Sequence, residues 1–139
     1  MEHNYIFAPV IVQVALTLWL YIYLAITKSR AVKLGEVNEA RRGLHDDAWP
    51  DSVRQVKNCI SNQFEAPILF YVLVGVLWSI DGINIYVHIA AWVFVLSRIA
   101  HAVIHTGSND VPLRRRIFTI GCCILLGITI FSAYKIVFI

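Results

Sequence analysis

Charge is what this sequence has least of, and its absences are not random. Only 15% of the 139 residues are Asp, Glu, Lys or Arg, against 58% hydrophobic, a balance outside that of water-soluble domains. Residues 5–27 hold no charge, 64–80 only Glu65, 83–105 only Arg98 and 117–139 only Lys135. Cysteine is nearly as scarce. Cys59 stands apart from the adjacent Cys122 and Cys123, which gives neither a disulfide framework nor a CxxC metal pattern and leaves the three as expected packing residues. Alternation at period two is missing, which argues against a strand-built barrel. There is no internal repeat, no low-complexity tract and no nucleic-acid-binding motif, so no nucleic-acid partner is expected.

What is present is apolar length. A spanning helix needs roughly 20 apolar residues. The runs 5–27, 64–80, 83–105 and 117–139 therefore predict an all-α integral membrane four-helix bundle, one domain over 1–139, with the lipid bilayer as its surroundings. The start Met1-Glu2-His3 lacks the basic opening of a cleaved leader, so the first span is expected to stay. Basic residues mark one side: Lys28, Arg30, Lys33, Arg41, Arg42, Arg54 and Lys57 follow the first span, and Arg114, Arg115 and Arg116 follow the third. The turn between the second and third spans has only Asp81. By the bias of basic loops toward the cytoplasm, both termini are expected on the non-cytoplasmic side of a multi-pass protein.

The connections differ in kind. Ser79-Ile80-Asp81-Gly82-Ile83-Asn84 has the residues of a tight turn and predicts an antiparallel hairpin of the second and third spans. Within the polar stretch 28–61, the Trp49-Pro50-Asp51 break predicts a helix capped by Asp51 or Ser52 that continues into the second span. Pro112 suits the first turn of the last helix and brings Arg114, Arg115 and Arg116 to its mouth. Neighbours at 100° steps cannot share a face, so at least one of these arginines is expected to face solvent or lipid, and one pointing inward would be enough for chemistry.

An ionisable residue inside hydrocarbon costs about 2.5–3.5 kcal/mol at a helix centre, which singles out Glu65 and Arg98. At helical spacing Asn58, Asn62, Glu65 and Leu69 share a face, as do Arg98, His101 and His105. The hairpin sets both stripes at similar depth, where Glu65 and Arg98 would pair. Two readings of each stripe stay open. Asn62 and Glu65 suit a capping box at a helix start as well as a pocket wall; Arg98 suits a structural ion pair or a snorkelling side chain as well as a ligand contact. His101-Ala102-Val103-Ile104-His105 has an i, i+4 spacing able to share a metal, with Glu65 as a third ligand. The remaining histidines, His3, His45 and His88, are scattered, so no metal is expected. The aromatics Trp19, Tyr21, Tyr23, Trp78, Tyr86 and Trp92 are expected to anchor and pack.

Two segments together, Asn62-Gln63-Phe64-Glu65-Ala66-Pro67 and the stretch Arg98–Ile117 with its Arg98, His101, His105, Pro112 and Arg114, resemble the MAPEG family. Its members are the membrane-associated proteins of eicosanoid and glutathione metabolism. The second segment is similar to the helix-three to helix-four region of the family's microsomal prostaglandin E synthase, and the wording as a whole is similar to small bacterial members, which implies a bacterial inner membrane. The resemblance implies a homotrimer with glutathione as bound thiol cosubstrate, near the cytoplasmic face between subunits. Asn62, Glu65, His101, His105 and Arg114 would line that site, Arg98 would pair with Glu65, and Arg114 would be catalytic, stabilising the thiolate.

Departures from the family pattern are Asn58 at an arginine position, His105 and Phe118 at tyrosine positions, and Arg115 at a serine position. The implied function is a glutathione S-transferase or peroxidase acting on lipophilic electrophiles. A noncatalytic lipid- or thiol-binding protein is the rival, and a metal-dependent membrane enzyme the third reading.

Overall fold

The computed structural model describes residues 3–138, and no strand occurs among them. After a 3-10 turn at His3–Ile6, α1 runs Phe7–Lys33, α2 Asp51–Gln63, α3 Ala66–Ser79, α4 Ile85–Thr106 and α5 Val111–Phe138. Four stretches are long and apolar enough to cross a membrane: Asn4–Lys33, Asp51–Ser79 taken across its break, Ile85–Thr106 and Val111–Phe138. The expected span 5–27 falls inside the first, 64–80 runs one residue past the second, 83–105 starts two residues before the third, and 117–139 falls inside the fourth but for residue 139, which lies outside the described residues.

One element differs from the expectation. The second span is not one continuous helix but two, parted at Phe64 and Glu65, whose φ of −99° and ψ of −101° leave the helical region. Pro67 explains the place. It has no N–H to give to the carbonyl of Gln63, and its ring crowds that carbonyl, so α2 stops there and α3 restarts with Pro67 in its first turn. Asn62 consequently sits in the last turn of α2 rather than at a helix start, and Glu65, the residue before α3, makes no side-chain cap. The capping-box reading is corrected by this break. At the other end Pro50 precedes α2, again without a side-chain cap, so neither Asp51 nor Ser52 fills that role.

The tight turns are as expected. Gly82 N–H closes on Leu77 O at 2.8 Å while Asp81 takes φ 51°, a Schellman-type ending. A Cβ on Gly82 would come within 2.8 Å of Leu77 Cδ2, so a side chain there would have to displace the buried Leu77. Asn84 then caps α4, accepting from Val87 N–H at 3.0 Å. Between α4 and α5, Asp110 Oδ1 accepts from Leu113 N–H at 3.0 Å, with Pro112 in the first turn.

The core is apolar at the turn end, where Phe70 of α3 stacks on Phe94 of α4 at 4.7 Å beside Leu77, Val87, Leu125 and Ile128. Toward the loop end it becomes polar: Gln13, Gln63, Arg98, His101 and His105 are buried, while Trp19, Ile22, Leu96, Val103 and Ile130 face outward. This inverted distribution suits a lipid surround, where interior polar groups bond across helices. Trp19, Tyr21, Trp78, Tyr86 and Trp92 also lie exposed. Cys59 packs with Leu20, Val56 and Ala102, but Cys122 and Cys123 are exposed. The packing role expected for all three holds for Cys59 alone, because the 100° step between the two neighbours leaves both on the outer side of α5.

A buried amide pair ties α1 to the end of α2. Gln13 Nε2 donates to Gln63 Oε1 at 2.9 Å, and Gln63 Nε2 donates to Cys59 O at 3.2 Å; both glutamines are at most 1% exposed. Gln13→Leu strands the Gln63 oxygen and should cost about 1–3 kcal/mol. Thermal unfolding in detergent reads this, and adding Gln63→Leu should return part of the loss, since no orphan then remains.

The segment 34–50 is fastened to the helices. Gly35, at φ 68°, turns the chain off α1, Lys28 Nζ sits 4.8 Å over the Trp49 ring, Arg41 pairs with Asp47 at 3.0 Å and Lys57 bonds Asp46. The Lys57 hydrogen bond, against a smaller opposing desolvation, holds the Asp46 carboxyl below its ordinary range. A depressed folded value means that this contact supports the fold above about pH 4, the unfolded range, and is lost as pH falls through the folded value. Acidification should therefore speed amide exchange across 34–50, and Asp46→Asn should abolish that acid response.

Candidate functional site

The break after Gln63 opens the loop end of the bundle. A polar cleft of about 710 Å³ lies there, walled by α2, the α2–α3 junction, the end of α4 and the start of α5. Its volume is in the range of small-ligand sites. Asn62, Glu65, His105 and Arg114 all line it, so four of the residues singled out from sequence come together. Arg98 and His101 do not reach it. They lie behind His105 and are no more than 2% exposed.

Arg114 is the inward member of its triplet: it is half-buried, while Arg115 and Arg116 are exposed. Asn109 fixes it, accepting from Arg114 Nη1. Asn109 itself takes φ 53°, a conformation asparagine tolerates, and its N–H closes on Ile104 O at 2.8 Å. A guanidinium thus projects into the cleft from the first turn of α5, whose own N-terminal dipole adds positive potential.

Asn109, not singled out from sequence, also lines the cleft, as does Arg54. The signal for Arg54 was available: 54, 58 and 62 are spaced by four, so the α2 stripe begins one turn earlier than Asn58. Arg54 Nη1 is held by Asp51 at 3.2 Å. A guanidinium therefore stands one turn from Asn58, the position at which the resemblance implies an arginine.

The expected Glu65–Arg98 ion pair is absent among the described residues. Glu65 is exposed because the break turns it toward the cleft, whereas Arg98 is directed into the bundle. There its guanidinium carbon lies 5.4 Å over the Phe118 ring, Nη2 is 3.4 Å from His101 Nδ1, and Nε has no partner. His101 and His105 meet edge to face at 5.5 Å, and Asn62 Nδ2 is 3.3 Å from His105 Nδ1. No group of three His, Cys, Asp or Glu able to hold a metal gathers among the described residues. Glu65 does not join the two histidines as the metal reading required. The arrangement can bind an anionic or zwitterionic ligand: cations from Arg54 and Arg114, a carboxylate from Glu65 beside that of Asp51, which is paired with Arg54, and neutral donors between.

Beside the cleft, from Ala66, the residue after Glu65, an apolar groove of about 420 Å³ descends between α3 and α5 past Leu69, Cys122 and Leu126.

A family model, that of the MAPEG family, matches residues 6–134. No curated protein and no solved structure gives a significant match. Four apolar spans with one arginine-lined polar end, matched by that pattern along nearly their whole length, lead to one conclusion: the chain is a member of the MAPEG family, an integral multi-pass membrane protein.

Proposed function

We propose that the cleft binds glutathione, or a low-molecular-weight thiol of like charge, at the cytoplasmic face of a homotrimer in a bacterial inner membrane, and joins it to lipophilic electrophiles. The cytoplasmic placement follows from the basic segments at the cleft end. The observation that carries the reading is that Arg114 alone of its triplet turns into the cleft.

Glutathione carries two carboxylates, an ammonium and a thiol. Arg54 suits an anionic end and Glu65 the ammonium, which leaves Arg114 to the sulfur. An ordinary thiol ionises near pKa 8.5, and a guanidinium in contact favours its thiolate, the nucleophilic form. The S–H proton leaves to water through the open mouth of the cleft. The thiolate sulfur then forms an S–C bond to the electrophilic carbon, whose displaced group or opened epoxide oxygen takes a proton from water. The groove between α3 and α5 gives the apolar part of such a substrate a place beside the thiol.

A second reading, binding without turnover, draws on Asn58, an amide on the cleft wall where the family pattern has a guanidinium. Titration calorimetry of the detergent-purified protein with glutathione, together with conjugation to a general electrophile, separates the two. Binding with conjugation supports the enzyme, binding alone supports the second reading, and no binding at millimolar thiol overturns both.

A further inference from the structure

Hydrogen-bond chemistry assigns protons in the histidine pair behind the cleft. A guanidinium has only donors, so His101 Nδ1, facing Arg98 Nη2 at 3.4 Å, is an acceptor and neutral His101 carries its proton on Nε2. Asn62 presents its amide nitrogen to His105 Nδ1 at 3.3 Å, which places the His105 proton likewise on Nε2. Arg114 of α5 and Arg98 of α4 stand near His105, His101 meets its ring edge to face, and the cleft before it holds Asn62, Arg54 and Asp51 of α2 and Glu65 of the junction.

We infer that Asn62 locks His105 as the neutral Nε2–H tautomer, and that this N–H is a second donor to the ligand sulfur beside Arg114, not the base that removes its proton. His105 lines the cleft and its Nδ1 is engaged, so Nε2–H is the group it offers to a ligand. In the step RSH → RS⁻ + H⁺ the imidazole gains no proton; the proton passes to water, and the sulfur lone pair accepts from Nε2–H and from Arg114. Asn62 acts through His105 and is a positioning residue. The donor role rests on the thiol reading of the cleft; the tautomer does not.

Nitrogen NMR of the histidine-labelled, detergent-solubilised protein reads the tautomer with no thiol present. The His105 signals, identified by their loss in His105→Gln, should show a protonated Nε2 and a bare Nδ1. Asn62→Asp, which offers only acceptors, should move the proton to Nδ1. For the donor role, the ultraviolet absorbance of bound glutathione thiolate is followed against pH. His105→Phe should raise the midpoint by about one pH unit, tenfold in thiolate, and His105→Gln, which keeps an N–H, should restore most of that shift.

A protonated Nδ1 in the unsubstituted protein overturns the tautomer. A midpoint unmoved in His105→Phe but raised in Arg114→Ala overturns the donor role. If the protein binds no thiol, the thiol reading fails and the donor role with it, while the imidazole signals still decide the lock.

Discussion

Arg114→Ala should lower the rate of thiol conjugation by about 10²–10³-fold, the usual cost of removing one donor from a preorganised anion site. Glutathione affinity should fall less, because the tripeptide's charged ends meet other groups. The reasoning is local. Arg114 is half-buried, held by Asn109, and set at a helix N-terminus, so its charge is less screened than a surface charge and its direction is fixed. Without it the thiol returns toward its ordinary range, and only a few per cent is thiolate at neutral pH. Arg115→Ala and Arg116→Ala remove the same charge from exposed neighbours and should change the rate by no more than about twofold. Second-order rate constants for the three variants against pH decide it; equal losses in all three would mean that a general basic field is responsible and not one placed guanidinium.

Arg98→Met should stabilise the protein by about 1–4 kcal/mol, by analogy with buried ion pairs replaced by apolar residues of similar volume. The guanidinium is 1% exposed, lies within a membrane-spanning helix and has no carboxylate at ion-pair distance among the described residues. Its compensation is the Phe118 face, worth about 2 kcal/mol when desolvated, and a long contact to His101. Met fills the same space beside Phe118 without the desolvation cost. Thermal unfolding in detergent measures the gain. A loss of stability instead would show that Arg98 meets an anion in the assembled protein, and would restore the Glu65 pairing that the resemblance implied. Conjugation measured on the same samples should fall even as the melting temperature rises, because His101 loses the donor that fixes its ring.

The four spans were legible because hydrocarbon imposes a length and composition on a helix that few other constraints imitate. The Pro67 break was half legible. The proline was plain, but whether the helix starts at Asn62 or stops at Gln63 depends on where α2 packs, which short-range pattern does not state. That the three consecutive arginines could not all share a face followed from the 100° step; that the inward one is Arg114 depends on Asn109 in its left-handed turn. The Gln13–Gln63 pair was invisible for a different reason. A lone glutamine in an apolar run has no local partner, and its partner lies 50 positions away. Arg98 and Glu65 were at the right depth to pair, but depth fixes one coordinate and the break rotates the other.

The interruption at Phe64–Glu65 also divides labour along one span. On its loop side, α2 is held to α1 by Gln13 and to the 34–50 segment by Lys57. On its turn side, α3 is held to α4 through Phe70 and Phe94. Asn58 and Asn62 thus ride on a segment anchored separately from the one that packs the core, and the two can vary under different pressures. Selection acting on which ligand the mouth accepts can rewrite the α2 face, arginine to amide or back, while the residues that keep the chain in the bilayer stay unchanged.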